Sequence, residues 1–293
     1  MIRDEFSRRF RSLLSGSGDG IPDWTPLVAE GHDAGMFGPG DAPWIVHADL
    51  ATLVGGIRAL LVQALHPGSL AGVVQHSRYE SDVLGRLHGT IRWLTISTFG
   101  STEAVEAEAA RVRALHERVR GSYRGNDGAQ HRYRASDTDL LAWVHMAFTD
   151  AFLTIHEHYG HRPVDADAYV AGWARAVEPL GYADAPTTAA GLRAAMRARQ
   201  GELRVDDTTR RVVRFIRRIP FPLAARPVYW WLFQAAVASL PDDYRRMLGL
   251  RSLPQWFVRP VVRGMLASMR WALGDRSPME NAALQRRALL AGR

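Results

Sequence analysis

Cysteine and lysine are both absent from this chain of 293 residues. Without cysteine, the chain cannot form a disulfide, a thiolate nucleophile, an iron–sulfur cluster, or a thiolate ligand to zinc or haem iron. Without lysine, it cannot form a Schiff base, anchor pyridoxal phosphate or supply the cation of a phosphate-binding loop. Composition alone therefore excludes several large classes of enzyme.

The basic residues, 37 in number, are consequently all arginine, and with 30 acidic residues they give a net charge of +7. A basic chain can bind nucleic acid, but these arginines are scattered through amphipathic segments and no recognised nucleic-acid motif accompanies them. We therefore expect no nucleic-acid partner.

Long hydrophobic runs are also missing. No N-terminal segment has the hydrophobic run of a signal peptide, and no stretch approaches the ~20 apolar residues of a membrane span. The sequence thus predicts a cytoplasmic protein. The segment RRVVRFIRRI, from Arg210 to Ile219, places arginines around an apolar stripe. That pattern is typical of a solvated helix face and also of a helix on a membrane surface, so peripheral membrane contact stays open.

The hydrophobic periodicity predicts an all-α fold with buried central helices. Residues 49–65 are apolar nearly all round, and so is much of the stretch from Ser136 to Gly160, which opens with capping-box spacing. No convincing alternating strand is found, and residues 122–132 are expected to form a polar loop. Residues 1–20 are predicted as an N-terminal helix and flexible joint, and residues 21–293 as a single all-α domain.

The stretch from Arg86 to Gly121 contains the most informative pattern and is predicted to form two helices. In the first, Arg86, Gly89, Thr90 and Trp93 fall at i, i+3, i+4 and i+7, on one helix face. Gly89 leaves that face open between an arginine and a hydroxyl. We therefore expect a ligand or a neighbouring group to approach the helix there.

The second helix is predicted to begin after Ser101-Thr102 and to end near Arg118 and Arg120. Its apolar stripe includes His116, which thus takes a core position. A histidine on such a stripe is more often hydrogen-bonded to a backbone carbonyl than bound to a metal. From the pattern alone, both alternatives stay open.

Two other polar features were weighed. Asp150 lies inside the apolar part of a helix and needs a partner such as an arginine or a hydroxyl; a structural ion pair, for example with Arg86, is the simplest interpretation. The histidines from His156 to His161 do not have the i, i+4 spacing of a zinc-binding HExxH motif. No glutamate has a histidine three residues later, which argues against a di-iron carboxylate site.

Haem b is a cofactor that the residue types present in this chain can bind. It needs one axial imidazole, a wide apolar pocket between helices, and arginines for its propionates. A helical chain with a histidine on an apolar stripe and many arginines can supply all three. Haem therefore fits this chain on chemical grounds, and His116 is one candidate for its ligand.

The sequence also resembles the family of latex-clearing proteins (rubber oxygenases) and MpaB-type oxygenases over about residues 45–250. The motifs that carry the resemblance are Arg86-x-x-x-Thr90 before a Phe99-Gly100 break, His116 followed by Val119-Arg120-Gly121, Tyr133-x-Ala135-x-Asp137 leading to Trp143-Val144-His145, and a later Leu240-Pro241…Arg245 turn. The resemblance implies an all-α fold, b-type haem, and dioxygen chemistry on apolar, often isoprenoid, substrates.

Carried over by position, the resemblance makes His116 the proximal haem ligand and places Arg86 and Thr90 near the haem. Rubber oxygenases have a lysine just before that threonine, which can cap the iron; this chain has Gly89 instead. The region of the family's acidic residue is occupied by Ser69, Leu70 and Gln75. Polyisoprene is therefore not the expected substrate.

Two functions follow as alternatives. In the first, the protein is a haem-dependent oxygenase acting with O2 on an unidentified hydrophobic substrate, with Arg86 and Thr90 as hydrogen-bond donors to oxygen or substrate. In the second, it is a non-catalytic protein of the same fold that binds haem or a hydrophobic ligand. His76 and His145 are the other histidines considered as a second axial ligand, and each is expected to be structural.

Overall fold

In the computed structural model of this chain, residues 12, 21–76, 83–274 and 276–292 are described, with residues 83–87 described by their backbone alone. The helix and joint predicted over residues 1–20 therefore lie outside the described residues, apart from Ser12. The α-helices of the described part are α1 (Thr25–Ala29), α2 (Ala42–Ala48), α3 (Thr52–Gln63), α4 (Pro67–His76), α5 (Val83–Phe99), α6 (Thr102–His116), α7 (Thr138–Tyr159), α8 (Ala166–Arg175), α9 (Ala189–Ala198), α10 (Asp207–Arg217), α11 (Arg226–Ala238), α12 (Asp242–Met247), α13 (Gln255–Leu273) and α14 (Pro278–Ala291). The all-α prediction is confirmed.

A small β-hairpin interrupts the helices, and here the prediction of a polar loop was wrong. Strand β1 (Arg120–Arg124) pairs antiparallel with β2 (Gln130–Arg134). The turn between them contains Gly128 at φ +81°, a left-handed conformation that glycine adopts without strain. In β2 exposed polar residues alternate with His131 and Tyr133, but β1 has an arginine at each end and Gly121, Ser122 and Tyr123 between them. The apolar alternation that predicts a strand is therefore weak.

The pair α3 and α7 forms the centre of the main hydrophobic core, as the apolar character of both segments predicts. Gly55 of α3 faces α7 so closely that a Cβ there would lie 2.5 Å from the Phe152 ring. A glycine is therefore required where the two helices cross. The core that surrounds them includes side chains from Trp24 to Ala283.

The partly buried Asp150 has an arginine partner, as the sequence predicts, and among the described side chains that partner is Arg58. The guanidinium of Arg58 on α3 donates to the Asp150 carboxylate on α7 at 2.5 Å. The Arg58 side chain is only 2% exposed. The ion pair thus joins the two central helices inside the core.

Two predicted helix boundaries were displaced. Helix α6 ends at His116 rather than near Arg120, because Arg120 pairs with Arg134 in the hairpin and strand pairing replaces the helical bonds. Helix α7 is preceded by Asp137 rather than Ser136, and the Asp137 carboxylate accepts a hydrogen bond from the Arg134 amide at 2.7 Å. Both differences arise from the hairpin.

Within the described ranges, no single helix has the length and apolar character needed to cross a membrane. By those two criteria alone, α2 and α3 pass together as a pair bent by 96°. The arginine-rich segment forms α10, whose apolar residues Val212, Val213 and Ile216 are buried in the core while most of its arginines are exposed.

Substitution of Asp150 by alanine should lower the free energy of unfolding by about 3–5 kcal/mol, because it leaves the buried Arg58 cation without its counter-charge. Urea unfolding measures this directly. The matched control is Asp207→Ala: Asp207 also pairs with an arginine, at 2.9 Å, but its side chain is 99% exposed. That variant should stay within about 0.5 kcal/mol of the parent. Equal small losses in both variants would contradict a structural role for the buried pair.

Candidate functional site

The candidate site residues lie on a helical hairpin formed by α5 and α6, which meet at Gly100 and Ser101. A Cβ at Gly100 would lie 2.6 Å from the Ile96 carbonyl oxygen, so only glycine fits this tight joint. The Ser101 hydroxyl accepts a hydrogen bond from the Ala104 amide at 3.2 Å and caps α6, as predicted. The closed end of the hairpin is therefore defined by local sequence.

A second group, distant in sequence, also caps α6. The Asp33 carboxylate accepts hydrogen bonds from the Thr102 amide at 3.0 Å and from the Gly35 amide at 2.6 Å. Burial raises the pKa of Asp33, but these hydrogen bonds outweigh it and the pKa lies below its ordinary value. Asp33 is thus a charged carboxylate at the positive end of the helix dipole.

Arg286 of α14 also binds the backbone at this joint. Its buried guanidinium donates to the Phe99 carbonyl at 2.9 Å and to the Val28 carbonyl. Burial lowers the pKa of Arg286, although nearby Asp33 opposes this. The closed end of the hairpin is therefore held by groups from both ends of the described chain.

An ion-pair network links the two helices further along. The buried carboxylate of Glu108 on α6 accepts from Arg92 of α5 at 2.9 Å and from Arg111 of its own helix at 2.5 Å. Arg86 lies six residues before Arg92, about 9 Å along α5, and His116 lies eight residues after Glu108, about 12 Å along α6. Both positions are thus displaced toward the open end of the hairpin.

The open end is packed less tightly than the closed end. From His88 to Thr95 no side chain is fully buried, whereas Ile96 to Ser101 are all buried. The same change occurs in α6, where Val105 and Ala109 are buried but Val112 and His116 are only half-buried. Apolar side chains at the open end are therefore incompletely covered by the described residues.

His116 is the last residue of α6, and its predicted core position was wrong because the buried stripe of the helix ends near Ala109. The imidazole is half-buried, and burial lowers its pKa below the ordinary value. No hydrogen bond from a described residue reaches it, so the backbone-carbonyl alternative finds no support. Histidine binds a metal as a neutral imidazole, through a ring nitrogen that no protein group occupies.

The α5 residues of the predicted site lie as follows. The Arg86 backbone is in the first turns of α5, and its side chain is outside the description. Gly89 is exposed, and a Cβ there would meet nothing within 4 Å, so the helix surface is open at this point. Thr90 is half-buried. These positions and His116 lie on neighbouring helices, at the same open end of the hairpin.

Other histidines differ from His116 in their partners. His76 is exposed and its Nε2 is 2.8 Å from the Arg120 carbonyl oxygen, to which it can donate. His145 is buried beside Tyr182, its Nδ1 has no partner among the described residues, and burial lowers its pKa to about 4.

His88, which the sequence analysis did not consider, also has a buried Nε2 without a described partner. Its place between Arg86 and Thr90 is the signal that would have identified it.

His47 anchors the buried half of α5. Its Nδ1 is 2.9 Å from the Thr98 hydroxyl and its Nε2 is 3.0 Å from the Tyr169 hydroxyl. Because the Thr98 hydroxyl donates to the Leu94 carbonyl, it accepts from His47 Nδ1. The neutral ring can then accept from the Tyr169 hydroxyl at Nε2. Burial lowers the pKa of His47 to about 3, and the nearby His156 adds to this.

A polar cleft of about 760 Å³ lies between the β-hairpin, the start of α7 and a single 3₁₀ turn at Gln200–Glu202. Carboxylates such as Asp137 and Asp139 line it together with Arg199. Such a lining does not suit haem or an apolar substrate.

The described residues contain no group of three or more histidines and carboxylates able to hold a bare metal ion. Haem iron needs only one protein nitrogen.

Comparison with known proteins gives one family. The family described as "ER-bound oxygenase mpaB/B'/Rubber oxygenase, catalytic domain" matches residues 44–272. No curated protein and no solved structure matches the chain. The matched range includes α5, α6 and α7, and therefore every predicted site residue.

The neutral His47 should make stability depend on pH. Its pKa is about 3 in the folded chain and about 6.5 when unfolded, so between these values only the unfolded chain binds the proton. Stability should therefore fall as pH falls from about 6.5, by about 1.4 kcal/mol per pH unit from this group. In His47→Gln, the slope of the unfolding free energy against pH, measured by urea unfolding at several pH values, should decrease by that amount. Thr98→Val, which removes the hydrogen bond but keeps the imidazole, should lower stability at every pH and retain the slope; an unchanged slope in His47→Gln would contradict the assignment.

Proposed function

Because the chain belongs to the family of mpaB-type and rubber oxygenases, we propose that it is a haem b-dependent oxygenase that acts with dioxygen on a hydrophobic substrate. The family supports the oxygenase chemistry. The single observation that supports haem is His116, a half-buried imidazole whose pKa is lowered by burial and which has no hydrogen-bond partner among the described residues. It has the properties of an axial ligand.

Haem b, when bound, supplies the iron that activates dioxygen. His116 would hold the iron through one ring nitrogen, and its place at the end of α6 leaves the imidazole at a partly covered surface. The incompletely buried apolar side chains at the open end of the hairpin, Ile91 and Leu94 among them, would contact the porphyrin or the substrate. Exposed arginines nearby, such as Arg113 and Arg118, could pair with the propionates.

Arg86 and Thr90 would act as hydrogen-bond donors. They stand one helical turn apart on the same face of α5, with the open surface of Gly89 between them. The Asp150 carboxylate already pairs with Arg58, so it does not depend on Arg86 for a counter-charge. Two donors beside an open backbone can orient dioxygen or the reacting end of a substrate, which by itself has few polar groups.

The substrate is proposed to be hydrophobic, and isoprenoid compounds are one class within it. Ser69 and Leu70 are buried, and the Gln75 amide donates to the Ser122 carbonyl at 2.9 Å, so none of these supplies a base. This observation favours a substrate other than polyisoprene. It also keeps a second function open: a protein that binds haem or an apolar ligand without turning it over.

The His116 proposal is tested by haem content. The purified parent should show a Soret band that shifts on reduction and with carbon monoxide, and His116→Gly should be folded by circular dichroism yet free of haem. Added imidazole should restore haem binding to His116→Gly, because it can enter the space of the lost ring.

The matched control for this test is His76→Ala, which removes an exposed imidazole that is already bonded to a backbone carbonyl. It should keep full haem content. Full haem content in His116→Gly, or a loss confined to His88→Ala, would contradict the assignment and move the ligand to another histidine. A parent protein that takes up no haem from added haemin would contradict haem dependence itself.

The donor roles are tested by azide binding to the ferric protein. Arg86→Gln and Thr90→Val should retain haem but bind azide about ten-fold more weakly each, the loss of one charge-assisted or neutral hydrogen bond. Arg175→Gln, at an exposed arginine of α8, is the control and should change nothing. Reduced thermal stability of Arg86→Gln with unchanged azide affinity would show a structural role instead.

A further inference from the structure

A row of aromatic side chains lies on the surface where α11 and α13 begin. Trp230 and Trp231 of α11 have ring centroids 4.9 Å apart, and Trp231 lies 6.0 Å from Phe257 of α13. Phe257 in turn lies 6.0 Å from Trp256. We call these four residues the aromatic row. Their ring contacts show that it is continuous across two helices.

The aromatic row is exposed to an unusual degree for large apolar side chains. Trp256 is 79% exposed, Trp230 is 43% exposed, and the nearby 3₁₀ turn before α11 adds Leu223 at 76%. Exposed apolar residues occur singly on most soluble proteins, but a contiguous group of aromatic rings marks an interaction surface.

The helices that carry the aromatic row contain arginines and no acidic residue, and acidic residues of the adjoining segments begin at Asp207, Asp242 and Asp275. Residues 208–241 and 244–274, which contain α11, α13 and nearly all of α10, include many arginines and no acidic residue. The C-terminal end of α10 adjoins α11, because the Tyr229 hydroxyl donates to the Ile216 carbonyl. This places the exposed Arg217 and Arg218 beside the start of α11. Arg226, also exposed, begins that helix.

We propose that the aromatic row and these arginines bind the surface of an anionic phospholipid bilayer. Tryptophan is the side chain best suited to the boundary between headgroups and acyl chains, because its ring is apolar and its N–H is polar. Arginine beside it attracts anionic headgroups and pairs with phosphate through two hydrogen bonds. The apolar face of α10 is buried in the core, so the rings of α11 and α13, not α10, enter the bilayer.

This surface is separate from the proposed haem site and does not depend on it. It lies on α11 and α13, whereas the site residues lie on α5 and α6. Vesicle binding should therefore be the same for the parent and for His116→Gly. Failure of the haem proposal and failure of the membrane proposal can thus be told apart.

The test is co-sedimentation of the full chain with vesicles of phosphatidylcholine, with and without phosphatidylglycerol. The parent should sediment with the anionic vesicles, and added salt should weaken the binding. The double variant Trp256→Ser/Phe257→Ser should lower the partition coefficient about ten-fold or more, because two buried rings are lost from the interface. Arg217→Gln/Arg218→Gln should lower it about five-fold for each arginine.

Each variant has a matched control. Trp271 is 71% exposed on the same helix but lies about 22 Å along it from Trp256, so Trp271→Ser should bind like the parent. Arg193→Gln/Arg197→Gln removes two exposed arginines from α9 and should also bind like the parent. The arginine variants keep the proposal testable if the aromatic double variant does not fold.

Several results would overturn the proposal. These are no sedimentation of the parent with anionic vesicles, and control variants that lose as much binding as the test variants. A third such result is a change of oligomeric state without a change of vesicle binding. Size-exclusion chromatography with light scattering would then show that Trp256→Ser/Phe257→Ser converts a dimer to a monomer. Equal binding of a single-stranded oligonucleotide and none of vesicles would assign the surface to nucleic acid instead.

Discussion

The close crossing of α3 and α7 is the constraint on which the rest of the structure depends. At Gly55 there is no room for a single carbon atom beyond the backbone, and nearly one turn farther along α3 the Arg58–Asp150 ion pair joins the two helices. A charged pair in such a place needs exact mutual placement to offset its desolvation. The two helices therefore fix one register, and the remaining helices pack around it.

The hairpin of α5 and α6 combines a rigid end with a loosely covered one. Its joint is held by Asp33, Ser101 and Arg286, and its middle by the Glu108 carboxylate. Beyond that point burial decreases, and the positions proposed for the site, Arg86, Thr90 and His116, all lie there. This division suits a cofactor site, because a firmly held scaffold positions groups that must themselves stay accessible.

The positive, aromatic surface of α11 and α13 is a separate feature, and an apolar substrate dissolved in a bilayer would be concentrated near a protein that docks there.

The sequence predicted the elements that depend on local pattern and missed those that depend on distant partners. The buried helices around Gly55 and Phe152 followed from their continuous apolar character, and the cap at Ser101 from local chemistry. A partner for Asp150 could be required but not identified, because pattern alone does not show which arginine faces it. The β-hairpin was missed because it is short and rich in arginine. The burial of His116 was predicted wrongly because a stripe of apolar residues predicts which face of a helix is buried, but not the residue at which neighbouring elements stop covering that face. The clamp made by Asp33 and Arg286 spans most of the chain and leaves no signature in either segment.

The position of Arg286 has a consequence for the order of events during synthesis. The carbonyl groups that it binds belong to Val28 and Phe99, so the joint of the hairpin is completed by a residue from the last helix. Contacts over such long sequence separations form late in folding. During translation, α5 and α6 can form as helices before α14 exists, but the joint that orients them is completed only when Arg286 has been synthesised and has reached it. A ligand that requires the oriented hairpin would accordingly be captured only after α14 has packed.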